Sequence, residues 1–165
     1  MGAKTAISAE EYLRTSFPNL DQEYRDGELV ERSLPDYIHG KTQAVLAALF
    51  LALRAKLALF PCVETRMRLR PQLILIPDVA VFYQNEPPNV PETPPLIAIE
   101  VLSVDDRMSA VRKKLDEYKN WGVPHVWLVD PHAKRLYTCD AGLVEVGSLR
   151  VPELQLELSP TQIFE

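Results

Sequence analysis

Cysteine is scarce, with Cys62 and Cys139 the only two in 165 residues. Standing alone, they make neither a disulfide framework nor a paired zinc-ligand pattern, and both read as reduced core or surface residues. No glycine-rich phosphate loop, Ser-His-Asp order or Cys-His nucleophile is apparent. Basic charge is also short. The net charge of −5 disfavours a high-affinity nucleic-acid binder, whose domains are usually basic, but leaves room for an enzyme touching DNA briefly through a local basic patch. There is no long hydrophobic run. The most apolar window, Ala44 to Leu53 with Leu57 to Phe60, is interrupted by Arg54 and Lys56 and falls short of a membrane span. It reads as a central helix packed on all sides. The N-terminus lacks an apolar core segment, so no signal peptide is expected and the expected compartment is the cytoplasm. What remains, 47% hydrophobic and 25% charged residues without repeats, fits one soluble domain spanning 1–165.

Local signals order the elements. Ser8 followed by Glu11 resembles a capping box for a helix from about residue 9 to Arg14. Asp26-Gly27 between two short runs predicts a hairpin. Pro35-Asp36 opens the long apolar helix, which runs to about Leu59 and stops before Pro61. Cys62 to Arg70 alternates and predicts one half-exposed strand with Glu64, Arg66, Arg68 and Arg70 outward. A polar start from Ser103 to Arg107 leads into a helix ended near Trp121 by Gly122 and Pro124, with Met108, Val111, Leu115 and Tyr118 as its apolar stripe. Val126 to Val129 is a buried strand. Arg135 to Thr138 and Leu143 to Val146 form a last hairpin, and Leu154 to Leu158 adds an edge strand. The order predicts an α/β (α+β) fold, a mixed sheet flanked by helices.

Two acids stand out. Leu96 to Leu102 reads as a strand buried on both faces, and Glu100 sits inside it. A carboxylate there is costly unless paired or holding a cation. Asp78, after Pro77, opens a second apolar run, Val79 to Phe82, and a proline-rich linker (Pro87, Pro88, Pro91, Pro94, Pro95) joins the two. If they pair antiparallel with Phe82 opposite Leu96, residues 78 and 100 face each other on one side of the sheet. Opposed carboxylates repel, and a divalent cation removes the conflict. Two acids and a backbone carbonyl, that of Val101, suffice for magnesium, so the pair reads as a metal-dependent phosphodiesterase site. The plain alternative is a turn aspartate and an arginine-paired glutamate.

Lys114 lies on the border of the helical stripe and can reach the sheet to orient an attacking water or stabilise the transition state; alone, it would be a solvated lysine. His39 and Gln43, one turn apart at the start of the long helix, could touch a phosphate or a metal-bound water, although a histidine there more often caps or packs. Glu28 could add an acid or be an exposed hairpin residue. Arg66, Arg68 and Arg70 could contact a phosphate backbone or form a solvated face. Tyr118, Trp121 and Trp127 read as core.

The run PPLIAIEVLSVDDRMSAVRKKLDEYKNWGVPHVWLVDP from Pro94 to Pro131 resembles a large bacterial family of restriction-endonuclease type, formerly a domain of unknown function, within the PD-(D/E)XK nuclease superfamily. SAEEYL from Ser8, DGELVE from Asp26, His39 opening the long helix and PDVAVF from Pro77 extend the resemblance in order over most of the chain. It implies a restriction-endonuclease-like core, with Asp78 as the acid of the PD element and Glu100 as the D/E element. The lysine two residues further on is replaced by Leu102, and the resemblance assigns its role to Lys114 on the following helix. The acid that family members commonly carry four residues before this lysine is Ala110 here; Asp105 and Asp106 are nearby acids that could compensate or cap the helix.

The expected activity is hydrolysis of DNA phosphodiester bonds by an endonuclease using Mg²⁺ or Mn²⁺, with a homodimer plausible because cutting both strands needs two sites. The alternatives are a catalytically inactive nuclease-like module for binding or oligomerisation, and a hydrolase of some other phosphoester.

Overall fold

The structure is a computed structural model, and it describes residues 6–18 and 21–165. Helix α1, Ala9–Arg14, starts at Ser8, whose hydroxyl accepts from the Glu11 amide. Strands β1, Glu23–Arg25, and β2, Glu28–Val30, form the hairpin around Asp26-Gly27. Helix α2, Tyr37–Leu57, is capped by the Asp36 carboxylate on the His39 amide. It is not packed on all sides: Leu46 and Phe50 are buried while Leu51 is 53% exposed. Its apolar residues outnumber those a single buried stripe requires, so composition alone overstated its burial.

The expected single strand from Cys62 to Arg70 is two strands in different sheets. Strand β3, Leu59–Val63, and strand β4, Met67–Arg70, are separated by a turn in which Glu64 has φ 50°. The α2 helix gives way to β3 at Ala58 in the left-handed region, and Pro61 is tolerated because β3 is an edge strand. Strand β5, Leu73–Leu75, had no sequence expectation. Strands β6, Val79–Tyr83, and β7, Ile97–Val101, form the hairpin around the proline-rich linker. Helix α3, Met108–Trp121, ends at Gly122, whose φ of 103° suits only glycine without strain. It crosses over to strand β8, His125–Asp130, parallel to β7. Strands β9, Arg135–Thr138, and β10, Val144–Val146, complete a six-stranded mixed sheet in the order β10-β9-β8-β7-β6-β3.

A second sheet, β2-β1-β5-β4, is antiparallel throughout. The C-terminal run is not an edge of either. Strands β11, Leu149–Val151, and β12, Leu156–Leu158, pair with each other, followed by a short helix α4, Pro160–Phe164.

Period two divides the core. Val79, Val81, Ile97, Ile99 and Val101 pack against Leu46 and Phe50 of α2. Ala98, Val126 and Leu128 pack on the other face against Leu115 and Tyr118 of α3, together with Leu73 and Leu75. The chain passes from the smaller sheet to the larger through Ile76-Pro77-Asp78, and this junction is where the acids gather.

Candidate active site

The β6–β7 register pairs Val79 with Ile99, Ala80 with Ala98 and Val81 with Ile97. Asp78 lies one residue before the end of this ladder and Glu100 one residue after it, so the two acids flank the same end of the hairpin. Even-numbered residues of β7 face α3, so Glu100 is turned toward that helix. Both acids are buried, Asp78 at 4% and Glu100 at 8% exposure.

Lys114 is the hub of the α3 side. Its Nζ donates to Glu100 Oε2 at 2.9 Å and to the Ile76 carbonyl at 2.8 Å, and lies 2.7 Å from Glu23 Oε1. Glu23 also accepts from the Ile76 amide at 3.1 Å, so β1, the sheet junction and α3 are tied together. Tyr118, one helical turn after Lys114, donates its hydroxyl to Glu100 Oε1 at 2.8 Å. Its ring is core, as expected, but its oxygen belongs to the acid cluster.

Asp78 is held from the other side. Its Oδ2 accepts from the Val101 amide at 2.7 Å and lies 3.4 Å from His39 Nε2, and its Oδ1 accepts from Arg32 Nη2 at 2.9 Å. Arg32 also pairs with Glu64. Gln43 bonds both the Asp78 carbonyl and Glu64 Oε1 at 2.8 Å. Thus His39 and Gln43 both reach the Asp78 side of the site. His39 Nδ1 is buried without a hydrogen-bond partner among the described residues.

Protonation follows from burial and charge. Desolvation works against the Asp78 carboxylate, but the His39 bond, Lys114 and Arg32 outweigh it and hold its pKa below the usual range. Desolvation likewise opposes the Lys114 ammonium, but Glu100, Glu23 and Asp78 overcome it and raise its pKa, so Lys114 stays charged. His39 is raised too, its burial offset by the hydrogen bond and charge of Asp78. Glu100 is the exception. Burial, reinforced by Asp78 and Glu23 against the pull of Lys114, pushes its carboxyl up to about 8.

The charge count explains this. Of three buried carboxylates, Glu23 has Arg25 at 3.8 Å and shares Lys114 with Glu100, and Asp78 has Arg32 and His39, so Glu100 alone has no cation of its own. The imbalance is met by a proton on Glu100 or by a further cation. Among the described residues, no three acids, histidines or cysteines are grouped as a ready metal cage. Magnesium needs fewer, since it keeps several waters. Glu100 Oε1, Glu100 Oε2 and Asp78 Oδ1 each carry one donor, leaving each a second acceptor position. The donor set therefore fits a hard divalent cation.

These groups line a cleft of about 1300 Å³, bordered by residues 23 to 35, by the 103–107 turn and by the first two turns of α3. A family model described as "Putative restriction endonuclease" and named Uma2 matches residues 9–165. The chain belongs to the Uma2 family. A crystal structure of a putative nuclease belonging to DUF820 from Anabaena variabilis superposes with a TM-score of 0.83 at 20% identity, covering 96% of this Uma2 chain and 97% of that one. That likeness establishes a shared fold. No curated protein matches.

Other expected residues of the Uma2 chain fall differently. Glu28 is exposed on the cleft wall; the acid that meets Lys114 is Glu23. The 110 position is a methyl on the cleft, and Asp106 caps no helix but accepts from the Ser103 amide and the Ser33 hydroxyl. The row Arg66, Arg68 and Arg70 is not a free basic face, and none of the three lines the cleft. Arg66 precedes β4, pairs with Asp21, donates to the carbonyls of Tyr12, Leu13 and Thr15, and lies over the Tyr12 ring at 4.7 Å. Arg68 pairs with Glu10 and Glu92, and Arg70 with Glu117 and Asp26. Nearby acids claim these guanidiniums because period two specifies a face but not what covers it. Arg66→Ala is therefore expected to cost about 2–3 kcal/mol through lost charge-assisted bonds. Thermal melting and faster proteolysis near α1 would reveal it, with DNA affinity unchanged; a selective loss of DNA affinity would return Arg66 to the substrate surface.

Arg32, Glu23 and Glu64 had no sequence signal. Tyr118 had one, since it follows Lys114 by four residues on the same helical face.

Proposed function

We propose that this Uma2 chain is a Mg²⁺- or Mn²⁺-dependent endonuclease that hydrolyses DNA phosphodiester bonds, with Asp78, Glu100 and the Val101 carbonyl as the metal-binding set. The observation that carries the reading is the buried pair of carboxylates at the sheet junction, in which Glu100 has only an ammonium that it shares with Glu23. When bound, the cation would polarise the phosphoryl group and lower the pKa of an associated water. Asp78 and Glu100 would hold it. Lys114, kept protonated by its acidic neighbours, is a donor and not a base. It stabilises negative charge developing at phosphorus. Cleavage of both strands would use two copies, so a homodimer is part of the proposal.

The test is nicking of supercoiled plasmid by the full chain with Mg²⁺ or Mn²⁺. Asp78→Asn is expected to slow nicking by about 10²–10³-fold, in the range of lost electrostatic stabilisation. Absence of nicking with both ions, or an unaffected Asp78→Asn variant, rejects the assignment. RNA and nucleotide substrates run alongside separate the DNA reading from other phosphoester chemistry.

A second reading, an inactive module for binding or oligomerisation, draws on Arg32, which already neutralises Asp78, and on the missing acid at Ala110. It predicts no metal uptake by calorimetry.

A further inference from the structure

We propose that Arg32 is a built-in stand-in for the cation: its guanidinium holds Asp78 when metal is absent and is displaced onto Glu64 when metal enters. The inference rests on the metal site proposed above and adds a residue to it.

Arg32 Nη2 lies 2.9 Å from Asp78 Oδ1, on the carboxylate that the metal would use, and its side chain is only 13% exposed. Its other arm pairs with Glu64, a partly exposed acid. The fork thus spans one buried and one accessible carboxylate, and release from Asp78 does not leave the guanidinium unpaired. Gln43 anchors both ends of this arrangement, donating to the Asp78 carbonyl and to Glu64 Oε1. The segment carrying Arg32 is also tethered to the opposite wall, where Ser33 donates to Asp106. A strand-to-helix connector that places an arginine inward on a buried acid lowers the desolvation penalty of that acid. The same contact competes with any cation for Asp78. Metal affinity is then set by an exchange of cations and not by filling a vacant cage.

The test is Mn²⁺ binding by calorimetry, with thermal melting in parallel, on the full chain, Arg32→Gln and Asp78→Asn. Lys113→Gln serves as control because Lys113 is an exposed cation lining the same cleft. Arg32→Gln is expected to bind Mn²⁺ at least tenfold more tightly, to melt lower without metal, and to gain more from Mn²⁺ than the unsubstituted chain. Lys113→Gln should stay within twofold. Binding by the full chain that needs Asp78 but is unchanged in Arg32→Gln overturns this inference alone. An equal gain in Lys113→Gln also overturns it, since general charge would suffice. Binding by none of the proteins rejects the metal site itself. If Arg32→Gln is unfolded without metal, folding on Mn²⁺ addition supports the exchange and failure to fold with Mn²⁺ overturns it.

Discussion

Lys114→Met is expected to abolish the proposed cleavage and to lower stability together, whereas adding Glu23→Gln to it is expected to recover stability alone. Removing the ammonium leaves Glu100 and Glu23 buried without their shared partner. Breaking a buried pair in this way costs about 3–5 kcal/mol. For a domain of this size that is a fall in Tm of roughly 10 °C. A loss of activity in Lys114→Met by itself would therefore say little about chemistry. The second substitution neutralises Glu23, and Glu100, whose carboxyl is raised by burial, can take up a proton. Most of the lost stability should return. Cleavage should remain down by about 10²–10⁴-fold, because the positive charge beside the proposed metal site is gone. Recovery of both properties in the double variant would make Lys114 structural only. Plasmid nicking and thermal melting on the two variants decide the matter.

Stability should fall as pH rises from about 4.5 to about 8, and Mg²⁺ should cancel most of that fall. Glu100 has a folded pKa above its unfolded value. The folded chain therefore holds a proton that the unfolded chain releases in this window, and the contribution is complete below the window and lost as pH passes the folded value. The effect is on the order of a few kcal/mol, or roughly 5–10 °C in Tm. His39, also raised, adds a loss of the same sign above its ordinary pKa. Asp78, held low, acts oppositely and only in acid, as pH falls through its folded value. A divalent cation requires the ionised carboxylate and displaces the proton. The Mg²⁺-induced rise in Tm should thus be larger at pH 8.5 than at pH 5.5, and Glu100→Gln should both flatten the profile and remove the metal response. A Mg²⁺ response independent of pH, or retained in Glu100→Gln, would reject Glu100 as a ligand.

Two further results would connect site to scaffold: the Arg66→Ala loss of stability without loss of DNA affinity, and the metal-affinity gain in Arg32→Gln. Both concern arginines, and they show where local sequence patterns stop informing. Arg66 looked like part of an exposed basic row by alternation. The turn at Glu64 and the packing of α1 convert it into an internal tether. Arg32 lies in a connector with no periodicity, yet it reaches the most buried acid of the cleft.

The sequence by itself determined that β6 and β7 are apolar strands joined by a proline-rich linker, and the antiparallel register it suggested is the one formed, since strand alternation is local and leaves few pairings. It also determined that Lys114 and Tyr118 share a helical face, because 3.6-residue periodicity is local as well. Only the tertiary structure decided which charges balance Asp78 and Glu100. Glu23, Arg32 and Glu64 come from a separate hairpin, a connector and an inter-sheet turn. Partnerships of that kind depend on how whole sheets dock, and the pattern of neighbouring residues carries no record of it.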